Sequence, residues 1–359
     1  MIPSSQTQRV TLRDIARRLK VTHTTVSRAL RDSPQISPAL REKVRRTANE
    51  LGYRPDPMLA ALAHYRHAST NGPICSELAW INVWPNPKEL RKRREFDLYW
   101  KGAFAEAERC GFRLEEFTPD KDMSMARLKQ IFRTRNIHGL LLPPKAPDLI
   151  PDWGDFPWNE FCVVRFGSSL KHPGTHLVAS DQMSDGVIAF DNIRNLGYRR
   201  VGLVTSQIHS KNPVRFAAGY LLGNLKVPEA ERMPPLILSQ ASGREDEKAL
   251  LAWLKNARPD AIFSDLPSLR EMLGNVGYRV PRDVAIAALS VLDGNADAGI
   301  DQNSEEIGRV AVQVLVSLIN RNERGLPKVR HEILIEGRWV DGSSMPPKKK
   351  VLPVAPKNP

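Results

Sequence analysis

The chain has 359 residues, enough for two or three domains, and its 41% hydrophobic content is ordinary for a globular protein. Its net charge of +13 is concentrated: residues 1–67 hold thirteen Lys or Arg against five Asp or Glu, the last fifteen residues hold four Lys and no acid, and the middle is nearly neutral. No apolar run is long enough to span a bilayer, the N-terminus lacks an apolar signal core, and Cys75, Cys110 and Cys162 have no metal-ligand spacing. These features disfavour secreted, membrane and disulfide-scaffold classes. They lead us to expect a cytoplasmic protein with a reduced set of cysteines, a basic end that meets a polyanion, and no cofactor or metal.

After nine polar residues, Leu12, Ile15, Ala16 and Leu19 fall on one helical face. Thr11 and Asp14 have the spacing of a capping box. A tight turn at Lys20-Val21-Thr22 leads to a second helix, in which Val26, Ala29 and Leu30 face inward and Thr22 is placed to cap. The outward face carries His23, Thr24, Ser27 and Arg28, with Thr24 and Arg28 four apart and therefore aligned. Two short helices at this spacing read as a helix-turn-helix, and Arg is the side chain best suited to guanine O6 and N7 in a major groove. A third helix starts at Ser37-Pro38, buries Leu40, Val44, Ala48 and Leu51, and stops at Gly52.

Val10-Thr11-Leu12-Arg13-Asp14-Ile15-Ala16, Thr25-Val26-Ser27-Arg28-Ala29-Leu30 and Leu51-Gly52-Tyr53-Arg54-Pro55 resemble the headpiece of the lactose-repressor (LacI/GalR) family. The resemblance is nearly continuous from Val10 to Pro55. It implies that His23, Thr24 and Arg28 read bases, while Thr22, Thr25 and Ser27 stand on the phosphate side. It also implies that 54–67 is a hinge that becomes helical on DNA, with Leu62 wedging into the minor groove. Pro57 stands where the family usually has Ala, and Ala60 and Ala63 where basic residues are common. Leu62 can instead serve as a packing residue.

A linker, 68–76, precedes a body over 77–342, and a Pro- and Lys-rich tail over 343–359 is expected to be disordered. In the body, apolar strands alternate with helices. Strands are expected at Leu78–Val83, Arg113–Phe117, Gly139–Leu142, Glu160–Phe166, Arg200–Thr205, Asp260–Ser264, Val284–Leu289 and Glu332–Val340. Such alternation implies parallel sheets with crossover helices, and there are too many strands for one sheet. The expected fold is an all-α helix-turn-helix headpiece (1–53) followed by an α/β two-lobed, periplasmic-binding-protein-like body. The resemblance places three crossings between lobes, near Ser180, Ile300 and Arg324.

A cleft between such lobes is a natural ligand site. By the resemblance, Arg215, Gln302 and Ser304 line it, and Ser290 stands where an Asp commonly holds sugar hydroxyls. Chemistry alone adds Trp84, which can stack on a sugar ring or simply pack, and more weakly Trp80 and His138. The charged run Lys88–Glu95 reads mainly as a solvated loop or helix, and less readily as a contact to an effector or DNA. No nucleophile elbow, Walker-type loop or His-Glu-x-x-His appears, so an enzyme is not expected. The leading expectation is a homodimeric repressor that binds a palindromic double-stranded operator and is gated by a small, sugar-like effector. The alternative is an effector-independent repressor whose cleft has degenerated.

Overall fold

A computed structural model describes residues 10–30, 35–53, 76–119, 124–147, 149–206, 215–239, 243–292, 294 and 296–348. The segment 54–67 and Leu62, expected to form the hinge and its wedge, lie outside these residues. The chain divides into two compact units: residues 1–74 together with Asn320–Asn322, and the remainder.

The described part of the first unit is built on three helices, α1 (Leu12–Leu19), α2 (His23–Leu30) and α3 (Pro38–Glu50). Ile15, Ala16, Val26, Ala29, Val44 and Ala48 are its buried centre. The Asp14 carboxylate accepts from both the backbone N–H and the hydroxyl of Thr11, at 2.9 and 2.7 Å, and this fixes the start of α1. Its pKa is lowered, first by the Thr11 hydroxyl. α1 ends at Lys20, whose backbone is left-handed (φ 55°), and Val21 N–H returns to Ala16 O at 3.1 Å. Gly52 (φ 68°) closes α3 in the same way, with Tyr53 N–H on Ala48 O at 2.9 Å. The Ser37 hydroxyl accepts from Leu40 N–H at the head of α3, with Pro38 at its first position.

The second unit holds two six-stranded sheets. The first has the order β11-β5-β4-β3-β1-β2, all parallel, from β1 (Ser76–Ile81), β2 (Phe112–Phe117), β3 (Gly139–Leu142), β4 (Cys162–Phe166), β5 (His176–Ser180) and β11 (Glu332–Ile335). The helices of this lobe are α4 (Pro87–Lys92), α5 (Arg94–Arg109), α6 (Met125–Thr134) and α11 (Ser304–Arg321). One sheet face packs on α5 and α11. Their backbones cross so closely that a Cβ on Gly102 or Gly308 would collide with the opposite helix. The other face packs on α6 and an aromatic segment that includes Trp153, Phe156 and Phe161.

The second sheet has the order β12-β10-β9-β8-β6-β7. Its strands are β6 (Val201–Ser206), β7 (Leu236–Leu238), β8 (Ala261–Ser264), β9 (Ala285–Ala288), β10 (Gly299–Asp301) and β12 (Arg338–Val340), and only β12 runs antiparallel to its neighbour. Helices α7 (Gln182–Asn195) and α8 (Arg215–Lys226) cover one face, and α9 (Arg244–Ala257) and α10 (Leu269–Asn275) the other. Apolar runs such as Ala261-Ile262-Phe263 are buried because parallel strands carry helices on both sides.

Three crossings join the lobes. The first follows Ser180 and the second follows β10, as expected. The third lies at Glu336-Gly337 rather than at Arg324, which belongs to the α11–β11 connection inside one lobe. The single strand expected over Glu332–Val340 is therefore two strands in different sheets. The crossings are tied together by Asp181 N–H to Ile335 O (2.8 Å), Asn303 Nδ2 to Glu336 O (2.7 Å) and Gly337 N–H to Asp185 Oδ1 (2.9 Å).

Packed structure continues beyond Ser343, where the disordered tail was expected to begin. Asp297 accepts from the backbone N–H groups of Ser343 and Ser344 at 2.8 and 2.7 Å, Met345 is buried in the second lobe, and Lys348 pairs with Asp260 at 2.6 Å.

Candidate functional site

Two surfaces carry the residues singled out by sequence. On the headpiece, His23, Thr24 and Arg28 are exposed, and Thr25 and Ser27 are half-buried beside them. The inward residues Val26 and Ala29 anchor α2 in the core and so fix which face turns outward. Thr22 Oγ1 accepts from Thr25 N–H at 3.1 Å and lies 2.8 Å from Thr25 Oγ1. This N-cap holds the first turn, and with it His23 and Thr24, in place. The exposed face thus presents an imidazole, a hydroxyl and a guanidinium along a short helix, without a carboxylate among them.

In the body, a cavity of about 380 Å³ opens between the lobes at the C-terminal ends of the strands. The first lobe contributes Arg93, Glu95, Phe96 and Tyr99, Pro144, and Gly167-Ser168-Ser169 after β4. The second contributes Arg215 and Phe216 from the head of α8, Ser264 and Asp265, Ser290, and Gln302 at the second crossing. Aromatic walls with convergent hydroxyl, amide and charged groups have the make-up of a small-molecule site.

Arg215, Gln302 and Ser290 line this cavity together. Gln302 donates its amide to Leu289 O at 3.2 Å, and the Ser290 hydroxyl accepts from Leu292 N–H at 3.3 Å. Ser304 and Trp84 do not line it, which corrects the expectation for both. Ser304 is 1% exposed at the head of α11. Trp84 is 9% exposed, donates its indole N–H to Pro144 O at 2.8 Å and packs edge-on to Phe96. The apolar ring gains more by joining the core. Trp80 is wholly buried against Trp100 and Phe166. His138 lies before β3, away from the cleft, hydrogen-bonded to Asn136, and burial lowers its pKa.

Sequence reasoning gave only a minor place to the acid and base at the start of α5. The run Lys88–Glu95 is mainly helical, and its last residues, Arg93 and Glu95, turn into the cavity wall. It also passed over Arg165, the one charged residue in the otherwise apolar strand Cys162–Phe166. A lone arginine inside a buried strand was the available signal.

Arg165 belongs to a charged cluster at the edge of the cavity. Arg215 Nη2 lies 2.8 Å from Glu332 Oε2, and Arg330 Nη2 lies 2.6 Å from Glu332 Oε1. The Arg215 hydrogen bond, ahead of the surrounding positive charge, lowers the Glu332 pKa. Burial, and then repulsion from Arg330, lowers that of Arg165. Arg215 stands on α8 in the second lobe and Glu332 on β11 in the first, so this ion pair spans the lobes.

Residues 11–56 match the model of bacterial regulatory proteins of the lacI family, and residues 190–345 match the periplasmic binding protein-like domain. The HTH-type transcriptional regulator GntR of Pseudomonas aeruginosa is 27% identical over 338 residues, covering 88% of this chain and 91% of its own. Among solved structures, a transcriptional regulator CelR–cellobiose complex superposes with a TM-score of 0.54 at 22% identity, over 94% of this chain and all of that one. A lac repressor dimer bound to operator and an anti-inducer gives 0.50 at 15% identity, over 94% of this chain and 100% of the other. With a lacI-family DNA-binding headpiece ahead of a periplasmic binding protein-like body, the chain is similar along most of its length to lacI-family regulators of transcription.

Proposed function

We propose that the protein is a repressor that binds a near-palindromic operator as a homodimer and is gated by a small, sugar-like effector in the cleft. The observation that carries this reading is the pairing of an exposed His23, Thr24 and Arg28 face with an inter-lobe cavity bridged by Arg215 and Glu332. In the headpiece, His23, Thr24 and Arg28 reach base edges in the major groove. Thr22, Thr25 and Ser27 meet the flanking phosphates. Such contacts set register and supply the salt-dependent part of affinity. A headpiece of three short helices is too small to give tight specific binding alone, and two of them related by a two-fold axis require two inverted half-sites. Leu62 is assigned to the minor groove at the operator centre.

In the body, the effector contacts Arg215, Gln302 and Ser290. A ligand that engages Arg215 competes with Glu332 and so with a bond between the lobes. Its differential affinity for the two lobe arrangements shifts DNA affinity by the same amount, typically about 1–3 kcal/mol.

Selection of preferred DNA from a random pool, repeated with and without carbohydrate mixtures, tests the reading. The expected product is an inverted repeat whose recovery changes when the effector is present. Recovery of one unrepeated half-site, with sedimentation showing a monomer on DNA, would overturn the dimeric reading. Recovery that no small molecule alters would overturn the gating.

A further inference from the structure

Beside the cavity lies an arginine that the described structure leaves incompletely bonded. Arg165 is 3% exposed, and neither its Nε nor its Nη1 has a hydrogen-bond partner. Its strand neighbours Cys162, Val163, Val164 and Phe166 are all buried and apolar. A guanidinium keeps its proton in proteins, so it cannot escape by becoming neutral. An unpaired buried cation is costly, and it persists where something else repays that cost.

The sheet register shows where the charge stands. Arg165 pairs with Leu177, and Leu177 pairs with Glu332, so the three share one sheet face. Leu177 lines the cavity, as does Arg215, which reaches Glu332 from the other lobe. The two carboxylate oxygens of Glu332 are taken, one by Arg215 and one by Arg330. Three guanidinium groups therefore surround one carboxylate, and the one left without it is the most buried. The rest of the cavity wall carries hydroxyl and amide groups, including Ser168, Ser169, Ser290 and Gln302, together with Arg93 and the carboxylates of Glu95 and Asp265.

We infer that the cleft takes a polyhydroxylated anion, a sugar acid or a sugar phosphate, whose charged group completes the bonding of Arg165 beside Arg215 while its hydroxyls meet the Ser and Gln side chains. This deepens the effector reading above and rests on it. Carboxylate and phosphate share the needed chemistry, since both accept two parallel N–H bonds from a guanidinium. The anion can insert between Arg165 and Arg215, which come from different lobes, so its binding changes the link between them.

The test is thermal unfolding of the full chain with matched pairs of probes: glucose, glucuronate and glucose 6-phosphate; ribose and ribose 5-phosphate; galactose and galacturonate. Each is compared at equal ionic strength, on the parent and on Arg165→Met. A ligand that binds only the folded state raises its melting temperature in a saturable way. At least one anionic member is expected to do so when its neutral counterpart does not, and Arg165→Met is expected to weaken that binding at least tenfold. Without ligand, Arg165→Met is expected to melt higher than the parent, because an unpaired buried charge has been replaced by an apolar chain. Arg165→Gln, which keeps donors but not charge, serves if Met packs badly, and should also lose the anion response. Stabilisation by a neutral sugar equal to that by its acid overturns the inference but leaves a gated cleft standing. So does an anion response that survives both substitutions. If no anionic member stabilises the parent, the inference falls, and if DNA selection is also unaffected by every probe, the gated reading falls with it.

Discussion

The headpiece and the cleft use arginine in opposite environments. Arg28 stands exposed on a short helix whose buried residues are all apolar. Arg165 is enclosed in a strand, and Arg215 and Arg330 share the single carboxylate of Glu332. An exposed guanidinium costs the fold nothing and is screened by salt, so it suits a long polyanion recognised by many weak contacts. A buried one is screened far less and burdens the empty protein, so it suits a single small ligand of opposite charge. On the reading proposed above, the same side chain would meet an exposed polymer in one unit and select a small anion by desolvation in the other.

Ionic strength should separate the two most widely. Raising salt from 50 to 200 mM is expected to weaken operator binding by roughly a thousandfold or more if half a dozen or more phosphates are contacted, while affinity in the cleft changes only modestly. Parallel titrations of both ligands would break the comparison if the two slopes agree. Next in size is the headpiece core. Ile15→Ala should cost about 2–5 kcal/mol in a unit held by only a few buried residues, so operator binding should collapse. The body's calorimetric transition and its ligand response should stay at parental values, and a common loss in both would mean that the units do not stand separately.

A smaller effect is expected at the base-reading face. Arg28→Ala should cost about 1–3 kcal/mol against the preferred operator and relax one base pair in each half-site. A uniform loss over all sequences, measured by competition with single-base variants, would instead make Arg28 a phosphate contact. A separate, pH-dependent effect concerns a buried acid. Asp185, at the lobe crossings, has its pKa raised to about 7, first by burial and then by Asp181, Glu336 and Glu95, against the opposing Gly337 N–H. Its ordinary value is about 3.9, so the folded state keeps a proton that the unfolded chain has lost, and stability falls as pH rises from about 4 to about 7. Asp185→Asn retains an acceptor for Gly337 and should gain stability over the parent across that window. A melting-temperature difference that is the same at pH 4 and pH 8 would show that the buried charge is not felt.

Local pattern made the headpiece readable. Its three helices, the Thr11–Asp14 cap, the Thr22 cap and the Ser37-Pro38 start are each set by residues within four positions of one another. The outward set His23, Thr24 and Arg28 then follows from the inward set Val26 and Ala29. The two-lobed body was readable in class, because alternating apolar strands and amphipathic helices admit few other arrangements. The strands β7 and β10 were not, since three residues carry no usable period, and β5, as long as the legible β4, was passed over as well.

By itself, then, the sequence determined the helix-turn-helix and the alternating α/β class of the body, and the family resemblance it carries pointed to Arg215, Gln302 and Ser290, which line the cavity. Tertiary structure alone decided that Trp84 and Ser304 turn away from the cavity, that Glu332–Val340 divides between two sheets at Glu336-Gly337, and that Arg165 meets Arg215 and Arg330 around one carboxylate. The physical reason is range. Helix caps and periodic faces depend on neighbours a turn away, whereas the charged edge of the cavity is assembled from strands that only sheet pairing brings together, here Arg165, Leu177 and Glu332 in one row across more than 160 residues of chain.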